Sequence, residues 1–296
     1  MDIEIKSVEI GNGETISYRE SGEGDKKLVL VHGNMTSSKH WDLVIENLPK
    51  NIKVYAIDLR GFGNSSYNKP IDSLKDFSED LKMFVDKIGI KDFYLAGWST
   101  GGGVAMQFTA DYSEYVEKLI LVESVGVKGY PIFKKNEKGE PIIGEFLKTK
   151  EEVARDKVQV VPILNAYKNK DTNALRKIWE MTIYNHNKPE ENRYKEYLND
   201  MLTQRNLVDV DYALMNFNIS NEHNGVVMGT GDVSKINIPT LVIQGDRDLV
   251  VPKSMAEGIN ETIGDNAKLV ILKDSGHSPI IDNLDKLINL MVNFIE

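Results

Sequence analysis

The sequence predicts an α/β fold: a mostly parallel sheet flanked by helices and interrupted by one long, mainly helical insertion. Three observations predict it. Short apolar, β-branched runs alternate with helix-period segments before residue 126. That pattern stops near Val127 and resumes at Thr240. Several of the runs end abruptly at Gly, Ser, Asp or His, as buried strands do where a sheet edge opens to a loop.

The elements follow in chain order. Leu28 to Val31 is a strand ending at His32-Gly33, and Val54 to Ile57 is a strand ending at Asp58. Leu74, Phe77, Leu81, Phe84, Val85 and Ile88 recur mostly at spacings of three and four. They predict an amphipathic helix with Ser73 as N-cap and Gly89 as its stop. Phe93 to Ala96 and Leu119 to Val122 are further strands, as are Thr240 to Ile243 and Leu269 to Leu272. A final helix, opened by Pro279, carries Leu284, Leu287, Ile288, Met291, Phe294 and Ile295 on one face. Within the interruption, 151–158, 172–184 and 190–202 are expected to be helical. The domain reading is a core of 1–126 and 233–296, with 127–232 inserted as a lid.

Composition sets limits. The chain has 296 residues, 41% of them apolar, which suits one large domain with a packed core. It has no cysteine, so a disulfide framework, a thiolate metal site and a cysteine nucleophile are excluded, and a reducing, cytoplasmic setting is expected. The start, Met1 to Lys6, lacks the features of a secretory leader, and no apolar run has the length of a membrane span. Net charge is −9. Residues 127–232 are charge-balanced, so the flanking segments carry the acidity. With no basic stripe, nucleic acid is not an expected partner. Oligomeric state is not legible.

Chemistry concentrates at Gly97-Trp98-Ser99-Thr100-Gly101, a G-x-S-x-G pentapeptide between a strand and a helix. Such a turn holds a serine with its hydroxyl exposed, and the glycines remove Cβ atoms that would clash with neighbouring elements. Ser99 is the candidate nucleophile. Of five histidines, His32, His40, His186 and His223 are expected to be structural or superficial; His277, beyond the last strand, is the candidate base. Asp246, Asp248 and Glu123 all lie at or just past strand ends, so each is a candidate acid. Backbone N–H donors for an oxyanion are expected from Thr100 and Asn34. Asp58-Leu59-Arg60-Gly61-Phe62-Gly63 is expected to be structural, with Asp58 and Arg60 tying down a glycine turn. Trp179 and Phe217 are the inserted segment's candidates for setting substrate choice.

In combination, His32-Gly33, Asp58-x-Arg60-Gly61-x-Gly63, the serine turn, Gly245-x-x-Asp248-x-x-x-Pro252 and Gly276-His277 resemble the α/β-hydrolase superfamily. The resemblance covers residues 20–126 and 233–296. It implies the α/β-hydrolase fold and a triad in the order Ser99, Asp248, His277, since Asp248 to Pro252 matches the family's acid turn. Asp246 is then a turn residue. A serine rather than an aspartate at the elbow sets aside the dehalogenases and epoxide hydrolases of this fold. It implies hydrolysis of a carboxylic ester, small or oligomeric, with C–C hydrolase or lactonase chemistry as the alternative and a non-catalytic ligand-binding fold as the rival. No cofactor or metal is implied. More narrowly, His32 to Asp42 together with Gly97-Trp98-Ser99 is similar to the intracellular poly(3-hydroxybutyrate) depolymerases of bacilli, which usually have Met where this chain has Thr100.

Overall fold

A computed structural model of the chain describes residues 3–296. Its strands are β1 (Glu4–Glu9), β2 (Thr15–Ser21), β3 (Lys26–Val31), β4 (Ile52–Ile57), β5 (Phe93–Trp98), β6 (Val116–Val122), β7 (Phe133–Lys135), β8 (Pro141–Phe146), β9 (Thr240–Gly245) and β10 (Ala267–Leu272). Eight form one sheet in the order β1-β2-β4-β3-β5-β6-β9-β10. Pairing is antiparallel at β1–β2 and β2–β4 and parallel from β4 to β10.

Alternation along the strands explains why these runs are apolar throughout. Leu28 and Leu30 of β3 point to one face, where they share a cluster with Val54, Ala96 and Ile120 and with Leu287, Met291 and Ile295 of the last helix. Val29 and Val31 point to the other face, packed with Leu95, Leu121 and Val242, and with Phe77, Leu81 and Phe84 of the helix Leu74–Ile88. Both faces are covered, so every position of β5 and β9 is buried. The helix Leu74–Ile88 has the expected limits: Ser73 and Asp76 form a capping box, and Gly89 closes it at φ 71°.

Two features differ from expectation. The N-terminal strands were not foreseen, because β1 is an exposed edge strand whose residues are largely polar. Lys6 of β1 pairs with Glu4 and with Glu20 of β2, charges that suit an edge facing water. The last helix is also two helices. Pro279 opens a short one, Pro279–Asp282, which breaks at Asn283 before Leu284–Ile295.

Between β6 and β9 the chain forms a hairpin, β7–β8, and the helices Lys150–Ala154, Val161–Asn169, Thr172–Thr182, Glu191–Met201 and Leu207–Asn216. The helix expected over 151–158 is shorter. The hairpin and the helices at 161 and 207 are additions. Turn chemistry explains the hairpin: the Asn136 side chain accepts the N–H groups of Lys138 and Glu140, and Gly139 sits at φ 82°. Trp179, Tyr184, Tyr194 and Tyr197 of this segment pack in the same cluster as Trp41 and Trp98. Among the described residues, no helix is long and apolar enough to cross a membrane.

Candidate active site

The site is built where β5 turns into the helix Thr100–Asp111. Ser99, between them, has φ 56° and ψ −120°, a conformation a non-glycine residue adopts only under constraint. The constraint is close backbone packing. A Cβ on Gly97 would lie 2.2 Å from the Gly101 carbonyl oxygen, and one on Gly101 would lie 2.3 Å from that of Val31. Neither oxygen can retreat, because each belongs to packed main chain. Both glycines are therefore required for this approach of strand, turn and helix.

Two strands away, the turn after β9 presents Asp248, and the loop after β10 presents His277. His277 Nε2 lies 3.1 Å from Ser99 Oγ, and Nδ1 lies 2.8 Å from Asp248 Oδ2. Asp248 Oδ2 also accepts from Gln244 Nε2 at 3.2 Å, while Oδ1 accepts the N–H groups of Val250 at 2.7 Å and Val251 at 2.9 Å. Burial works against the charge on Asp248, but His277 and the backbone donors outweigh it and hold the carboxyl below its usual range. The Asp246 side chain, by contrast, is exposed and accepts only a long bond from the Ser275 N–H at 3.3 Å. Glu123 is fully buried and accepts the Gly245 N–H at 2.7 Å. Of the three candidate acids, it is Asp248 that the fold brings to His277.

Asn34 begins the turn after β3, next to Gly33, on which a Cβ would lie 3.0 Å from Ser99 Cβ. Its side chain is held from two sides. Asn34 Nδ2 donates to Asp211 Oδ1 at 2.9 Å, and Gln204 Nε2 donates to Asn34 Oδ1 at 2.8 Å. Burial pushes the Asp211 carboxyl up to about 7, with Asp156 adding to the shift against the Asn34 bond. Thr100 is the first residue of its helix, so its N–H has no intrahelical partner and points out of the positive end.

The other motif residues are structural. His32 accepts the Leu59 N–H at Nε2 (3.0 Å), which leaves Nδ1 to donate to the Gly33 carbonyl at 2.8 Å. Full burial lowers its pKa to about 4, so it is neutral. Asp58 accepts the Ser38 and Asn64 N–H groups at 2.9 Å each and ties the glycine turn. Arg60 does not join it; it forms a two-pronged pair with Asp80 at 2.7 and 2.8 Å. His40 is buried and stacked on Tyr197, with ring centroids 4.3 Å apart. His186 and His223 are exposed.

A model of the alpha/beta hydrolase fold matches residues 26–284. The chain belongs to this family. Its relatives differ in chemistry. The chain is 27% identical over 294 residues, 95% of its length and 90% of the relative's, to a 2-hydroxy-6-oxononadienedioate/2-hydroxy-6-oxononatrienedioate hydrolase of Klebsiella pneumoniae. It is 25% identical over 279 residues, 93% and 95% of the two chains, to a pimeloyl-[acyl-carrier protein] methyl ester esterase of Yersinia pseudotuberculosis. An esterase from Exiguobacterium antarcticum superposes with a TM-score of 0.76 at 20% identity, covering 98% of both chains.

Within this alpha/beta hydrolase, several neighbours of the site were not anticipated. Trp98, inside the motif itself, donates its indole N–H to the His277 carbonyl at 2.9 Å and fixes the histidine loop. Gln244 braces Asp248 from the C-terminal end of β9. Asp211 and Gln204 reach Asn34 from more than 165 residues away in sequence, a contact no local pattern announces. Trp179 and Phe217, the inserted segment's candidates for setting substrate choice, are both buried, at 1% and 5% exposure.

Proposed function

We propose that this hydrolase cleaves a carboxylic ester through an acyl-enzyme on Ser99. The observation that carries the reading is the hydrogen-bonded chain from Ser99 Oγ through His277 to Asp248. In this mechanism His277 Nε2 takes the Ser99 proton as Oγ attacks the carbonyl. Asp248 keeps the other imidazole proton on Nδ1 and stabilises the imidazolium. The N–H groups of Asn34 and Thr100 receive the oxyanion, with the positive end of the helix Thr100–Asp111 behind them. His277 then returns its proton to the leaving alcohol, and water, activated by the same base, releases the acid. Residues 127–232 act as the lid over a core of 1–126 and 233–296, touching the oxyanion loop through Gln204 and Asp211.

Turnover of p-nitrophenyl acyl esters and labelling by a fluorophosphonate test this. Ser99→Ala should lose turnover by about a million-fold, as removal of a triad serine does. Labelling of that variant at wild-type level would remove Ser99 from the role. A wild-type protein that binds esters without turning them over would favour a ligand-binding fold instead. The likeness to the Klebsiella 2-hydroxy-6-oxononadienedioate/2-hydroxy-6-oxononatrienedioate hydrolase favours one second reading, cleavage of a C–C bond beside a carbonyl with the same residues. The finer substrate reading, 3-hydroxybutyrate polymer or its oligomers, is supported by the likeness of residues 32–42 and 97–99. A panel of simple esters, lactones, a vinylogous diketone and amorphous polyhydroxybutyrate separates these.

A further inference from the structure

One buried acid has no part in that mechanism. Glu123 follows β6 with no exposed surface and sits at φ 45°. The parallel pairing of Val122 with Ile243 sets it beside the C-terminal end of β9. Its N–H donates to the Ile243 carbonyl at 2.9 Å, and its Oε1 accepts the Gly245 N–H at 2.7 Å. Its Oε2 meets no donor among the described residues, and neither does the nearby buried Oε1 of Gln244. Glu123 and Asp248 hold consecutive residues at the end of β9, Glu123 through the Gly245 N–H and Asp248 through the Gln244 side chain, so the two carboxyls lie on the same short stretch of chain.

Two ionised carboxylates there would set acceptor against acceptor in a site shielded from water. One proton shared between them turns that repulsion into a bond. The donor inventory decides which acid keeps it. Asp248 collects His277, Gln244 and two backbone N–H groups, whereas Glu123 collects Gly245 alone. Donors favour the charged form, so the charge belongs on Asp248.

We propose that Glu123 is a positioning residue: a neutral carboxylic acid that donates its proton in a hydrogen bond to Asp248 and so fixes the carboxylate that orients His277. The proposal rests on Asp248 being the orienting acid of the proposed mechanism. Burial first, and the Asp248 charge second, push the Glu123 carboxyl well above the usual range, in the same sense. Asp282, on the helix Pro279–Asp282, is a second negative group acting on Glu123 and adds to that push. Glu123 then orders Asp248 without adding a second negative charge behind the imidazole.

The test has a spectroscopic and a kinetic arm. Infrared spectra of wild-type protein at neutral pH should show a protonated-acid carbonyl stretch that Glu123→Gln removes. The same difference against Asp211→Asn separates any band from Asp211. Gln preserves both a donor for Asp248 and an acceptor for Gly245, so Glu123→Gln should turn over esters near the wild-type rate. Glu123→Met removes the donor and should lower kcat roughly 10- to 100-fold, the effect of losing a hydrogen bond to a charged group, with KM little changed. No band lost in Glu123→Gln, a Gln variant as slow as the Met variant, or a Met variant as fast as wild type would each overturn the proposal. If Glu123→Met does not fold, the infrared difference and the Gln variant still decide. Should Ser99→Ala remain active, the ester mechanism fails by itself, and the infrared arm still reports on Glu123.

Discussion

Asp248→Asn tests the catalytic reading most sharply, because the structure determines which way the new amide must face. Asp248 Oδ1 accepts two backbone N–H groups, at 2.7 and 2.9 Å. Those donors cannot change. Placing an NH₂ there would set donor against two donors and forfeit both bonds, at about 1 kcal/mol or more each. The asparagine therefore keeps its oxygen on Val250 and Val251 and turns its NH₂ toward His277 Nδ1. Histidine can change tautomer, so Nδ1 becomes the acceptor and the proton moves to Nε2. Nε2 is the atom 3.1 Å from Ser99 Oγ, and once protonated it cannot take the serine proton. The fold should be preserved while turnover falls by about 10⁴-fold, the cost known for this change in a serine protease triad. The assay is steady-state hydrolysis of a p-nitrophenyl ester, with circular dichroism and thermal unfolding to show an intact fold. Asp246→Asn is the control; its exposed side chain predicts little change. An Asp248→Asn enzyme within tenfold of wild type, or a crippled Asp246→Asn enzyme, would refute the argument.

Other consequences follow from packing and protonation. Gly101→Ala puts a Cβ 2.3 Å from the Val31 carbonyl oxygen, so urea unfolding should show a loss of about 1–3 kcal/mol or more, with fluorophosphonate labelling impaired as the turn shifts. Trp179→Ala should cost about 3–5 kcal/mol in the same assay and leave acyl-chain preference unaltered in whatever folds, because the indole is a packing group. His32, neutral in the native state with a pKa of about 4 against an ordinary 6.5, makes stability depend on pH. The unfolded chain takes up that proton and the folded chain excludes it, so this contribution is complete above about 6.5 and is lost as pH falls toward about 4. It amounts to roughly 3 kcal/mol at about 1.4 kcal/mol per unit. Comparing unfolding free energies of wild type and His32→Asn at neutral pH and at pH ~4.5 should show the variant's deficit shrinking in acid; a constant deficit would contradict the assignment.

What could be read without coordinates was what the chain states locally. The apolar runs of β5 and β9 are legible because burial on both faces demands apolar side chains at every position, and those of β3, β4 and β6 because most of their positions are buried. The helix Leu74–Ile88 is legible because its stripe, cap and stop are adjacent in sequence. β1 carries no such mark, since an edge strand in water is coded by charge pairs that are also common in loops. Ser99 and His277 each stand alone at a strand end, but three acids compete for one role. Only the pairing of β6 with β9 and of β9 with β10 shows that Asp248 reaches the ring while Glu123 lies behind it. Arg60 illustrates the same limit: its partner is Asp80, on the next helix, and not the neighbouring Asp58.

The turn after β3 joins these levels. From the core side, His32 ties it to Leu59, and the Thr36 hydroxyl donates to the Gly33 carbonyl at 2.8 Å. At Gly33 the absent side chain lets the turn come against Ser99. At Met35 the backbone has φ 61°, a conformation held by the Asn34 Oδ1 bond to the Met35 N–H at 3.0 Å. From the other side, Gln204 and Asp211 grip the Asn34 amide. The peptide proposed to receive the oxyanion is thus fixed by parts of the chain far apart in sequence, and part of that grip comes from the segment between β6 and β9. Any movement of that segment that releases Asn34 would remove two of the bonds defining the turn. Under the proposed mechanism, a movement of this segment that admits substrate would therefore act on the proposed oxyanion donor through one side chain, Asn34.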